Sequence, residues 1–249
     1  HFNTAIYTGN GGTIDITVGF QPDFSWYKCR AGGANRWHYL FDSNRGANKA
    51  VYSNLTGAED SETPTYNTQS FQSNGTRIVR DNGDHLNNNG DTYVSWNWKA
   101  GGSASTIAVD SVSSGVPSIA SSVSANTDAG FSIVTYSGNT DASATIGHGL
   151  GVVPKMIMVK KRDEAGNWIV FTETTGATNK LNLNATTAVA VSALFNDTAP
   201  TSTVFSVKDT SSDDTFGDGH TYVAYCFADV EGYSKFGSYI GNSSADGTF

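Results

Sequence analysis

Positive charge is what this sequence has least of. Lys and Arg number 15 in 249 residues, against 23 Asp and Glu, for a formal net charge of −8. Phosphate backbones and anionic membranes are held by clustered Lys and Arg. No basic run occurs in the chain, so a general nucleic-acid partner is excluded. Long apolar runs are also missing. The run around Lys155–Val159 falls far short of the roughly 20 residues that cross a bilayer as a helix, so no membrane insertion is expected. Cysteine is nearly absent. Cys29 and Cys226 stand at unmatched places, which argues against a disulfide framework. No signal peptide is recognisable, and a chain opening on His1 reads as processed or as a piece of something longer.

Catalytic signatures are missing too. There is no Gly-x-Ser-x-Gly elbow, and no Walker or Rossmann glycine pattern sits between a strand and a helix. Ser25 and Lys28 fit Ser-x-x-Lys, but on a strand positions i and i+3 point to opposite faces. Glu59, Glu62, Glu164, Glu173 and Glu231 are scattered. A glycosidase needs two carboxylates about 5–10 Å apart across a cleft. The expectation is a protein that is not an enzyme.

What the sequence has is Gly, Ser, Thr and Asn in place of charge, with aromatics at 12%. That is the composition of short strands joined by tight turns around a real core. It also has an internal repeat. Phe2 to Asn10 returns as Phe131 to Asn139, with Tyr7 and Gly9 matching Tyr136 and Gly138. Asn54 matches Asn184, Trp37 is aligned with Trp168, and Asp91 to Trp98 matches His220 to Phe227. A third start, Ser238 to Asn242, echoes Ile6 to Asn10.

The fold expected is all-β: two tandem β-sandwich-like repeats with a trailing strand that begins a third. Residues 1–100 form repeat 1, 101–117 a Gly/Ser-rich linker and 118–235 repeat 2. Residues 236–249 start a further repeat or serve strand exchange. Phe24–Tyr27 and Met156–Val159 read as buried strands, and Ser118–Ser124 with Phe131–Ser137 as a hairpin. Ala185–Leu194 reads as a short helix. Alternation over Tyr93–Trp98 predicts a polar face (Tyr93, Ser95, Asn97) opposite an apolar one (Val94, Trp96, Trp98).

Four motifs carry a resemblance. They are the Phe-x-x-x-x-Tyr-x-Gly-Asn repeats, Gly147 to Ile157, Asn196 to Ser202, and Thr221 to Ala228 running into Glu231 to Tyr239. Together they resemble a repeat family of virion-associated and tail-appendage proteins of marine tailed bacteriophages. The resemblance covers nearly the whole chain. It implies a structural role at a virion surface, extracellular, with copies of the chain or other virion proteins as partners. It supplies no catalytic residues. Repeat 1 departs from it where Val18 stands in place of His148.

Candidate ligand sites are few. Asp81 and Asp84 precede the Tyr93 strand, and Asp213 and Asp218 precede the Tyr222 strand. Such Asp/Asn/Gly loops offer the hard oxygens that calcium takes, and equally the chemistry of plain tight turns. No other cofactor is expected. Trp37 and Trp168 are candidates for stacking on host-surface glycans, or for a shared core position. A carbohydrate-binding adhesion module is therefore the alternative to a structural one.

Overall fold

The computed structural model describes residues 1–31, 37–61, 68–79, 86–210 and 214–242. The chain is all-β, built from antiparallel sheets. The first half holds β1 (Phe2–Thr8), β2 (Thr13–Thr17), β3 (Phe24–Ala31), β4 (His38–Asp42), β5 (Gly46–Tyr52) and β6 (Asp60–Ser61). It continues with β7 (Thr68–Gln72), β8 (Gly75–Val79) and β9 (Thr92–Trp98). The second half holds β10 (Ser105–Ile107), β11 (Ser121–Asn126), β12 (Phe131–Ser137), β13 (Ser143–Gly147) and β14 (Met156–Lys161). After these come β15 (Ile169–Thr172), β16 (Asn179–Asn182), β17 (Ala190–Val191), β18 (Val204–Lys208) and β19 (Thr221–Phe227).

The two halves share one strand order. The large sheet of the first runs β1-β9-β3-β4-β5-β6, and that of the second runs β12-β19-β14-β15-β16-β17 with β11 and β10 added beyond β12. Each large sheet has a small companion, β2-β8-β7 in the first half and β13-β18 in the second. Registers agree row by row. Phe2, Trp98 and Phe24 lie side by side as Phe131, Phe227 and Met156 do. Tyr7 stacks on Tyr93 with ring centroids 5.0 Å apart, and Tyr136 on Tyr222 at 5.1 Å. The hydroxyl of Tyr7 donates to Leu86 O (2.8 Å), and that of Tyr136 to Thr215 O (2.6 Å). Gly9 and Gly138 are glycines for one reason: a Cβ would fall 2.1 Å from Asn88 O and 1.9 Å from Gly217 O.

Period-2 alternation divides each large sheet between two cores. In β19, Tyr222, Ala224 and Cys226 face the companion sheet, while Val223, Tyr225 and Phe227 face the other half of the molecule. In β3, Tyr27 faces the companion sheet and Phe24 the other half. Three apolar cores result. One lies inside each half, and a third joins the two large sheets through Phe24, Leu40, Val51, Phe131, Met158, Trp168 and Tyr225.

The expected hairpin is present, its first strand at Ser121–Asn126 rather than Ser118–Ser124 and its second at Phe131–Ser137, and the buried strands at Phe24 and Met156 stand as expected. Three expectations are corrected. Residues 101–117 are not only a linker: Ser105–Ile107 form β10, which pairs with β11, and Ile107 packs on the second core. Ala185–Leu194 forms no helix. Ala190–Val191 pairs with Asn179–Lys180 instead, in a stretch whose Thr and Val residues lose side-chain freedom in a helix. Residues 236–242 form no strand. The Phe236 N–H donates to Asp229 Oδ1 (2.9 Å), and its ring lies 5.7 Å from that of Phe227, so it is spent on the central core. Residues 243–249 lie outside the described residues. The alternation expected over β9 is present, and its polar face turns inward. Ser95 and Asn97 are fully buried, joined to each other (2.9 Å) and to Ser25 (2.8 Å between Ser25 Oγ and Asn97 Oδ1).

Candidate functional site

The joint between the halves positions everything that follows. At its centre Arg45 is wholly buried, an arrangement that requires paired charge and full hydrogen bonding. The turn after β4 supplies the pairing. Asp42 Oδ1 accepts the Arg45 backbone N–H (2.8 Å) and Asp42 Oδ2 accepts its Nε (2.5 Å). Nη1 donates to Glu59 Oε2 (2.9 Å) and Nη2 to the Tyr225 hydroxyl (3.2 Å) across the joint. That hydroxyl in turn donates to Asp42 Oδ2 (2.7 Å). Arg162 closes the network with two bonds to Glu59, at 2.9 and 3.0 Å. Burial works against the charge on Arg45, but Asp42, Tyr225 and Glu59 beside it hold its pKa above the ordinary value. Burial works against the Glu59 charge too, and the two guanidinium groups hold its carboxyl below the usual range. The Trp168 indole N–H donates across the joint to Tyr52 O (2.8 Å).

At one end the two large sheets do not close. The opening is a cleft of about 300 Å³. Phe2, Trp26 and Trp98 wall it from the first half, Met156 and Phe227 from the second, and the loop bearing Phe236 forms a third side. Strand parity explains the wall. Trp26, Trp96 and Trp98 all project from the face of the first sheet turned toward the second. Trp26 lies edge-on to Trp96 at 6.2 Å, and its indole N–H donates to His38 Nδ1 (3.3 Å). In the second half the same positions are Met158, Tyr225 and Phe227, all buried. Those of the first half are half-exposed. Among the described residues no Asp, Glu, His, Lys or Arg lines the cleft. Its chemistry is dominated by apolar contact and ring stacking, with the Tyr233 phenol and the Ser234 hydroxyl at its border.

The sequence-derived candidates fall elsewhere. Trp168 is fully buried. Trp37 is half-exposed and packs on Tyr39 and Tyr52, on the companion-sheet side. The two are not equivalent. His38 and Trp168 occupy the matching place, since their carbonyls accept the N–H of Ser53 and of Leu183 respectively. A one-residue slip moves a side chain to the other face of a strand, and that slip separates Trp37 from Trp168. Asp81, Asp84 and Asp213 lie outside the described residues, as does Glu62. Asp218 is exposed, and among the described residues no group of three or more His, Cys, Asp or Glu could hold a metal. Glu59 belongs to the buried network, while Glu164 is drawn to Lys161 (3.7 Å) and Glu173 to Lys155. Ser25 and Lys28 point to opposite faces of β3, with Ser25 in the hydrogen bond to Asn97. Cys29 and Cys226 are buried thiols, and burial pushes Cys226 up to about 12. His148 is fully buried, its Nδ1 accepting the Leu150 N–H (3.2 Å) and its Nε2 facing Thr201 O (3.2 Å).

Sequence reasoning counted Trp26, Trp96 and Trp98 among the tryptophans but singled out Trp37 and Trp168, and so did not group the trio. The signal available was shared parity of the two tryptophans of β9, and the tryptophan excess of the first half over the second. What it lacked was the register that sets Trp26 beside Trp96.

No curated protein and no solved structure matches the chain. One family model does match it, over residues 1–249 and thus across both halves and the joint between them. The chain therefore belongs to the family described as domain of unknown function DUF7483.

Proposed function

We propose that the chain is a non-catalytic assembly module of two tandem β-sandwich repeats. In this reading it serves at a virion surface or tail appendage, outside the cell, and joins copies of itself or neighbouring virion chains. The observation that carries the reading is the cleft: apolar and aromatic, open to solvent, and with no carboxylate, imidazole, ammonium or guanidinium group among the described residues that line it. Such a cleft suits an apolar segment or surface of another chain better than a reaction. The rigid joint beside it supports the same reading, because a buried network of charges resists the sliding of one sheet on the other. The test is solution mass by light scattering over a dilution series of the full chain. A defined oligomer is expected. A monomer at every concentration overturns the reading.

One observation favours a second reading, a carbohydrate-binding adhesion module. Trp26, Trp98 and Tyr233 present ring faces at the cleft, and indole and phenol rings stack on sugars. Titrating host-surface glycans against tryptophan fluorescence tests it. A saturable change lost in Trp26→Ala supports it, and no response across a glycan panel removes it.

A further inference from the structure

The free edge of β1 is the longest sheet edge among the described residues. The edge strands β6, β10 and β17 are two or three residues long, and β2 carries the Asp15–Arg77 ion pair. Short or charged edges are how sheets avoid adding strands. β1 has neither protection. It runs seven residues, Phe2–Thr8, pairs with β9 without a register shift, and contains no charged residue and no proline.

The backbone groups on that edge can be assigned. Lys99 N donates to His1 O and Gly9 N donates to Asp91 O, so the odd-numbered residues of β1 bond to β9. By the alternation of an antiparallel ladder, Phe2, Thr4, Ile6 and Thr8 turn their N–H and C=O groups outward, where the Thr4 N–H donates to Asn3 Oδ1 (2.9 Å), a bond made within β1 itself. Their side chains are exposed, Ile6 at 66%. In the second half the same edge is occupied. β12 is the counterpart of β1, and its outward residues Phe131, Ile133 and Thr135 pair with Asn126, Ser124 and Ser122 of β11. The fold therefore accommodates a further antiparallel strand at this position.

We infer that the outer edge of β1 is an assembly site that takes the β1 edge of a second copy, antiparallel, joining two large sheets into one continuous sheet. This rests on the assembly reading above and names its surface. The occupant is a second copy because β1 is complementary to itself. In a two-fold register centred on Ala5, the outward groups of Thr4 meet those of Ile6, and Phe2 meets Thr8. Exposed Ile6 then packs on a threonine, and no charge faces a like charge along the ladder.

The test uses the full chain with three changes made separately. Ile6→Lys places a charge on the edge. Thr4→Pro removes an outward N–H, which an edge strand tolerates in the monomer but an added strand does not. Ala5→Cys places two thiols opposite each other at the centre of the register. Light scattering should show the dimer weakened by about tenfold or more in Ile6→Lys and Thr4→Pro, with circular dichroism confirming that each still folds. Under mild oxidation Ala5→Cys should form a covalent dimer. If the wild type is an oligomer that Ile6→Lys leaves intact and Ala5→Cys does not cross-link, the β1 edge is wrong and the assembly reading stands. If the wild type is a monomer throughout, both are wrong.

Discussion

The two halves of this molecule have one backbone plan and two surfaces. Their strand orders and registers coincide, and so do the stacked pairs Tyr7–Tyr93 and Tyr136–Tyr222. Yet at three matched places the chemistry diverges. The turn after β4 carries Asp42 and Arg45, where the turn after β15 carries Thr172 and Thr175. The inner face shows half-exposed Trp26 and Trp96 in the first half, and buried Met158 and Tyr225 in the second. The leading edge is bare at β1 and covered at β12. The shared positions are those that hold the fold, while the cleft and the free edge lie where the halves differ. Conserving the plan left the first half free to keep an open surface.

The largest expected effect separates the two turns. Arg45→Met leaves Asp42 buried without its cation and takes from Glu59 one of its two guanidinium partners, and should lower stability by about 3–5 kcal/mol. Thr175→Ala at the matching place removes neutral hydrogen bonds and should cost about 1 kcal/mol. Urea unfolding of both variants measures the contrast, and equal losses would break it.

Next is a pH effect confined to the second half, where His148 stands in the place of Val18. Burial, opposed only by the Thr201 carbonyl, lowers its pKa from 6.5 to about 4. Between those values the unfolded chain binds a proton that the folded chain refuses. Stability is therefore full above about pH 6.5 and falls as pH drops toward 4. The slope is about 1.4 kcal/mol per pH unit and the total up to about 3 kcal/mol. Protonation puts a hydrogen on Nδ1, which now accepts the Leu150 N–H. Unfolding free energies between pH 7 and 4 should show this decline, and His148→Gln should flatten it.

The smallest effect tests sameness. Tyr7→Phe and Tyr136→Phe each remove one hydroxyl bonded to a backbone carbonyl, and each should cost about 1 kcal/mol. A clear inequality in denaturation midpoints would mean the shared positions do not bear equal loads.

The repeat was legible in the sequence because Phe2, Tyr7 and Gly9 recur with their partners at one spacing, fixed by the close approaches of Gly9 and Gly138 to backbone. The all-β class followed from turn residues standing where charge was scarce. The faces were less legible. Nothing in local pattern tells Ser95 and Asn97 that they lie inward, since their burial depends on Ser25 being there to bond. Trp37 was aligned with Trp168 on residue type, whereas carbonyl partners set the true register one residue away. Phe236 read as the start of a strand, and the central core claims it as a side chain. The Arg45 network draws on five residues from distant parts of the chain, a convergence that only the folded joint displays.

The central claim is that the two halves are one body, held by the central core and the Arg45 network. Unfolding in urea, followed by two probes at once, tests it most directly. Tryptophan fluorescence reports mainly on the first half, which holds Trp26, Trp37, Trp96 and Trp98 of the five tryptophans. Amide hydrogen exchange of β12, β14 and β19 reports on the second. The account predicts one transition with coincident midpoints, and two separate midpoints would contradict it.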